Sequence, residues 1–118
     1  MNGLPANFDA SSLVGIKLAQ VCFTANTVSL FFEKDVSITI MGSFIFRDRL
    51  SPAVNKQRIP LSSSNLMSLV SKVVRLAEAR EDGTLILHFE NEHAVMLFDD
   101  SPEYESYVIR IGNKEIIV

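Results

Sequence analysis

The chain repeats itself at about half its length, and a chain holding two copies of one pattern is confined to architectures that two copies can build together. Lys17-Leu18-Ala19-Gln20-Val21 recurs as Arg75-Leu76-Ala77-Glu78-Ala79, and Val28-Ser29-Leu30-Phe31-Phe32-Glu33-Lys34-Asp35 recurs as Leu85-Ile86-Leu87-His88-Phe89-Glu90-Asn91-Glu92. On this match the second copy shortens the intervening turn by one residue. Beyond the acidic turn, Ile38 and Ile40 correspond to Val95 and Leu97. Apolar positions two apart mean strands with one buried face. The copies cover about residues 9–48 and 63–110, residues 114–118 remain as an added strand, and the 118 residues together are the size of a single domain.

Each copy reads as a three-stranded antiparallel meander, over 16–23, 28–32 and 36–41 in the first and 73–80, 84–89 and 93–98 in the second. The turns fall at Thr24 to Thr27, Glu33 to Asp35, Glu81 to Gly83 and Glu90 to Glu92, and Asp82-Gly83 between apolar alternations is the strongest hairpin signal among them. Further strands are expected at 44–47, 104–110 and 114–118, which makes about nine. Arg49 to Ser62, with Pro52, Pro60 and little periodicity, reads as a surface loop. Leu66, Met67, Leu69, Val70 and Val73 share a helical face behind the serines at 62–64, which predicts one short helix near 64–73. Asp9 or Ser11 is placed to cap a single turn at the corresponding point of the first copy.

The fold class is therefore mainly β, α+β at the margin. One helix cannot cover two meanders, so the copies are expected to pack on each other as a sandwich or partly closed barrel. The expected core is Leu30, Phe32, Ile38, Ile40, Leu87, Phe89, Val95 and Leu97.

Composition sets the outer limits. With 47% apolar and 21% charged residues the chain belongs with globular domains, not disordered ones. Eleven Lys and Arg stand against fourteen Asp and Glu, a net charge of -3, with the basic residues scattered, so no nucleic-acid stripe and no nucleic-acid partner is expected. No apolar run approaches the ~20 residues of a membrane helix, and no secretory leader is recognisable, which predicts a cytoplasmic protein without a membrane partner. The single cysteine, Cys22, agrees with a reducing compartment.

Glu81-Asp82-Gly83-Thr84-Leu85-Ile86-Leu87-His88-Phe89, followed by Tyr104-Glu105-Ser106-Tyr107, resembles a family of small bacterial proteins of unknown function. That family shows D-G-T-L-x-L-x-F and then Y-E-x-W or Y-E-x-Y. Leu13-Val14-Gly15 and the strand pair ending Phe31-Phe32-Glu33 extend the likeness over most of the chain. Tyr107 stands where tryptophan is frequent, and the glycine-rich ending of the family is missing after Val118. The resemblance implies no established activity.

Few residues suggest chemistry. Tyr104, Glu105 and Tyr107 at the head of a strand form a candidate binding rim, against which stands the plainer reading of a buried ring whose hydroxyl meets a neighbouring carbonyl. His88, Glu90, Glu92 and His93 are the one cluster with metal-ligand character, but with two histidines and no cysteine nearby the solvated hairpin end is the preferred reading and no metal is expected. Cys22 beside Phe23 reads as a packed thiol, and Asp99 and Asp100 before Ser101-Pro102 as a turn. The five glycines are too dispersed to cradle a phosphate, and no cofactor is expected.

The leading expectation is a noncatalytic protein-interaction domain, immunity-like if its acidic balance serves to meet a basic toxin. A small-molecule carrier or enzyme with a pocket at the barrel mouth is the rival of another class. A structural homo-oligomer is the third, through Lys114 to Val118, whose apolar end at a sheet edge invites pairing with a copy of itself.

Overall fold

The computed structural model describes residues 3–47, 56–58, 66–101 and 105–118, with the backbone alone at 56–58. The predicted strands form, as β1 (Leu18–Phe23), β2 (Val28–Phe32), β3 (Val36–Ile40), β4 (Ser43–Arg47), β6 (Val74–Ala79), β7 (Leu85–Phe89), β8 (Ala94–Leu97), β9 (Tyr107–Ile111) and β10 (Lys114–Ile117), and an unpredicted one, β5 (Lys56–Arg58), joins them. They make two antiparallel five-stranded sheets and no closed barrel, sheet 1 in the order β1-β2-β3-β9-β10 and sheet 2 in the order β5-β4-β8-β7-β6.

That order holds the main finding about the repeat. Each copy lays down its three-stranded meander in one sheet and then sends its fourth strand into the other. β4 of the first copy pairs with β8, Phe44 opposite Leu97, while β9 of the second copy pairs with β3, Tyr107 opposite Ile40. β5 and β10 then close hairpins on these exchanged strands and end the sheets. The hydrogen bonds repeat with the same symmetry. Gly15 N donates to Val74 O and Ser71 N to Leu18 O, both at 2.7 Å, and Lys17 bridges Val73 between them, which ties the margins of the two sheets together.

The matched apolar positions Leu30, Phe32, Ile38, Ile40, Leu87, Phe89, Val95 and Leu97 are all buried, as expected. To them the structure adds Leu13, Leu18, Phe44, Leu66, Leu69, Val74, Tyr107 and Ile109. Apolar area withdrawn from water by these side chains is the main favourable term of the fold.

Four expectations are corrected. The helix near 64–73 is a 3-10 turn over Leu66–Leu69, because Ser71 turns the backbone to a φ of 76° and Val73 and Val74 are claimed by strand pairing. Its proposed serine cap lies outside the described residues. The supposed loop at 49–62 contains β5. The strand expected over 104–110 begins at Tyr107, with Glu105 and Ser106 outside it and Tyr104 outside the described residues. In space Leu18 corresponds to Val74, opposite Phe32 and Phe89, so the first block of the sequence match was displaced by two residues and the intervening turn is longer in the second copy. A displacement of two keeps every side chain on its face, which is why the core was still read correctly.

The first copy has its own 3-10 turn, Ala10–Leu13, capped as foreseen by Asp9, whose Oδ1 accepts from Ser11 N at 3.0 Å and from Ser11 Oγ at 2.6 Å. These bonds hold the Asp9 carboxyl below the ordinary aspartate value. This turn packs against β6 and the Leu66–Leu69 turn against β1, so the exchange between copies extends to the helical turns.

Candidate functional site

The sequence-predicted sites fall apart into separate structural duties. Tyr107 does not belong to a rim: it is fully buried, on the inward face of β9, and its hydroxyl donates to Gly83 O at 2.6 Å. β9 runs beside β3 with Tyr107 opposite Ile40, so alternation turns its ring into the sandwich, and burial, with the negative charges of Asp99 and Asp82, pushes its phenol far above the ordinary value. Glu105 is exposed just before the strand, and Tyr104 lies outside the described residues.

The histidine hairpin is likewise divided. His88 Nε2 lies 3.2 Å from Glu78 Oε1 on the outer face of sheet 2. Glu90 Oε1 accepts from Val73 N at 3.3 Å, and His93 stands edge-on to Phe46 with its Nδ1 3.2 Å from Asn91 Nδ2. Glu92 takes the turn, at a φ of 67°. Among the described residues no three His, Cys, Asp or Glu side chains come together as metal ligands.

A polar cluster that sequence reading treated as a simple turn does more than that. Ser43 and Ser106, both buried, stand at the heads of the two exchanged strands. Ser43 Oγ donates to Asp100 Oδ2 at 2.6 Å and Ser106 Oγ to Asp99 Oδ1 at 3.2 Å, while Asp99 Oδ2 accepts from Gly3 N at 2.7 Å. Both hydroxyls are committed to carboxylates that fasten the chain crossings, a holding arrangement and not an activated nucleophile. Two serines at corresponding places in the copies were the available signal.

What remains for recognition is surface. On sheet 1 the outward positions form two rows across the strands. One is Cys22, Ser29, Thr39, Val108 and Ile117, in direct cross-strand register and without a charge. Ser29 Oγ and Thr39 Oγ1 meet at 3.3 Å within it. The other is Gln20, Phe31, Ser37, Arg110 and Glu115, whose two charges are spent on each other, Arg110 Nε to Glu115 Oε2 at 2.9 Å. Phe31 and Ile117 keep 41% and 42% of their surface in water, far more than large apolar side chains keep in the core.

Cys22 joins this face for a reason sequence alternation concealed. The bulge between Leu18 and Gln20 advances the strand by one, so Val21 packs toward the core and Cys22 turns outward, half-buried beside Ser29 instead of packed inside. The corresponding bulge between Val74 and Leu76 leaves Leu76 half exposed on the outer face of sheet 2, in one row with His88, Ala94 and Arg47.

Residues 10–118 match the model of a family described as a family of unknown function (DUF6188). No curated protein and no solved structure matches the chain.

Proposed function

Because the chain belongs to this family of unknown function, its role has to be read from its own surface, and from that surface we propose a noncatalytic protein-interaction domain that binds through the outer face of sheet 1. The uncharged row from Cys22 to Ile117, with Phe31 standing out beside it, carries this reading. A neutral strip with an exposed aromatic anchor suits a protein partner, since such anchors supply much of the energy of an interface. The Arg110–Glu115 pair at its side is self-neutralised and costs little to cover.

The net charge of -3 supports the finer reading, an immunity-like domain that approaches a basic partner. Attraction of opposite charges would speed the encounter, and the neutral strip would hold the complex.

The test uses the full chain as bait, with Phe31→Glu on sheet 1 and Leu76→Glu on sheet 2 as paired variants, and identifies the bound protein by cross-linking and mass spectrometry. The reading expects a defined partner that Phe31→Glu loses and Leu76→Glu retains. A partner held equally by both variants removes sheet 1 as the site, and a turnover abolished by one polar substitution replaces the noncatalytic reading.

A further inference from the structure

Four strands lie at the margins of the two sheets, and they are not equally protected. β1 and β6 each carry a bulge and are tied to one another through the Lys17–Val73 bridge, devices that keep a margin from pairing with another chain. β5 is three residues long. Among the described residues β10 has neither bulge nor tie: its register with β9 runs unbroken, Lys114 opposite Ile111 through Ile117 opposite Val108.

The orientation of the β10 backbone follows from its last bonds. Val118 N donates to Tyr107 O at 2.9 Å and Tyr107 N to Val118 O at 3.4 Å, so these two residues form a hydrogen-bonded pair. In an antiparallel ladder such pairs alternate, which turns the N–H and C=O groups of Lys114 and Ile116 toward β9 and those of Glu115 and Ile117 away from the sheet. Glu115 would ordinarily discourage an approaching strand, but its charge is engaged by Arg110 of the neighbouring strand.

We propose that a second copy of the chain adds to sheet 1 here, β10 against β10, about a twofold axis through Ile116. In that register Glu115 and the partner's Ile117 exchange both backbone bonds, as do Ile117 and the partner's Glu115, while Lys114 lies opposite the partner's Val118. Centring the axis on Glu115 would set two glutamates face to face, which is destabilising, and centring it on Ile117 would leave the outward groups of Glu115 without a counterpart within the partner's β10. The register through Ile116 is the one that satisfies the outward groups of both copies without opposing like charges. It joins the outer faces of two sheets into one continuous surface. β10 also lends Ile117 and Glu115 to the face that Phe31 anchors, but this pairing uses the β10 backbone and not the Phe31 side chain, so Ile117→Pro and Phe31→Glu test the two proposals separately.

The experiment measures the mass of the full chain across a concentration series, together with residue-resolved hydrogen exchange. The expected result is a dimer at high concentration, in which exchange of the Glu115 and Ile117 amides slows by more than about tenfold relative to the dilute chain. Ile117→Pro removes an outward N–H and leaves the bonds to β9 in place, so this variant stays folded and monomeric, while Phe31→Glu still dimerises. A chain that is monomeric throughout, a dimer whose two amides exchange as fast as in the monomer, or a dimer unaffected by Ile117→Pro overturns the proposal. Should the proline variant fail to fold, the exchange measured on the unaltered chain decides alone.

Discussion

The hydroxyl of Tyr107, on an exchanged strand, is bonded at 2.6 Å to the carbonyl of Gly83, in the turn between β6 and β7 of the opposite sheet. It is a buried polar contact across the sandwich, and it joins the two ends of the motif that first marked the second half of the chain. Replacing Tyr107 by Phe keeps the ring and leaves the Gly83 carbonyl without that donor. The expected loss is about 1–3 kcal/mol, the cost of an unsatisfied buried group, read from the midpoint of urea unfolding.

The same contact sets a limit in alkali. Burial raises the Tyr107 phenol above its unfolded value, so its contribution to stability is complete below the ordinary phenol value of about 10 and is lost as pH rises through the folded value. In a Tyr104→Phe background, absorbance near 295 nm should report no phenolate from the folded chain until it unfolds. Ionisation of Tyr107 at its ordinary pH with the fold intact would contradict this.

Gly15 and Ser71 occupy corresponding places in the two copies and share a left-handed backbone, with φ of 86° and 76°. Glycine accepts that conformation without strain and serine does not. Ser71→Gly should therefore stabilise the chain by about 0.5–1 kcal/mol, and Gly15→Ala should cost about 1 kcal/mol. Gly83→Ala should cost more than Gly15→Ala, because a Cβ there would meet Asp99 Cβ at 2.6 Å, whereas at Gly15 it meets nothing within 4 Å. Thermal unfolding of the three variants gives the order.

Exchange of β4 and β9 predicts how the chain behaves when cut. With one peptide bond broken between β5 and the Leu66–Leu69 turn, the two pieces should remain associated, since each sheet contains strands of both. Each piece alone should lack a cooperative unfolding transition by circular dichroism. A single fragment that unfolds cooperatively would show that one copy suffices.

How far the sequence could be read depended on which physical rule each feature obeys. Ile38, Ile40, Val95 and Leu97 declared themselves because strand side chains alternate with period two, and burial of one face leaves its mark at every second position. The exchange of strands left no such mark: alternation says which way Phe44 or Tyr107 points but not which strand lies beside it. Cys22 was misplaced for the opposite reason, a bulge between Leu18 and Gln20 that breaks the count locally. The helix over 64–73 failed because the spacing of Leu66, Leu69 and Val73 suits a helix, while long-range pairing gave Val73 to Lys17. At the candidate site, single residues with familiar chemistry, Tyr107 and His88, proved to be a core ring and an exposed-face side chain hydrogen-bonded to Glu78. The neutral row on sheet 1 is a property of five strands in register, visible only once the register is known.

The order β1-β2-β3-β9-β10 also governs when sheet 1 can exist during synthesis. Its first three strands leave the ribosome early, yet the inner edge of β3 has no neighbour until Tyr107 to Ile111 has been made. Sheet 2 waits as well, because β4 pairs with β8. Closure then depends on pairing between distant parts of the chain, such as Ile38 with Ile109, the kind of non-local contact that slows folding. The emerging meander spends that interval with an open edge, where a chaperone would find it.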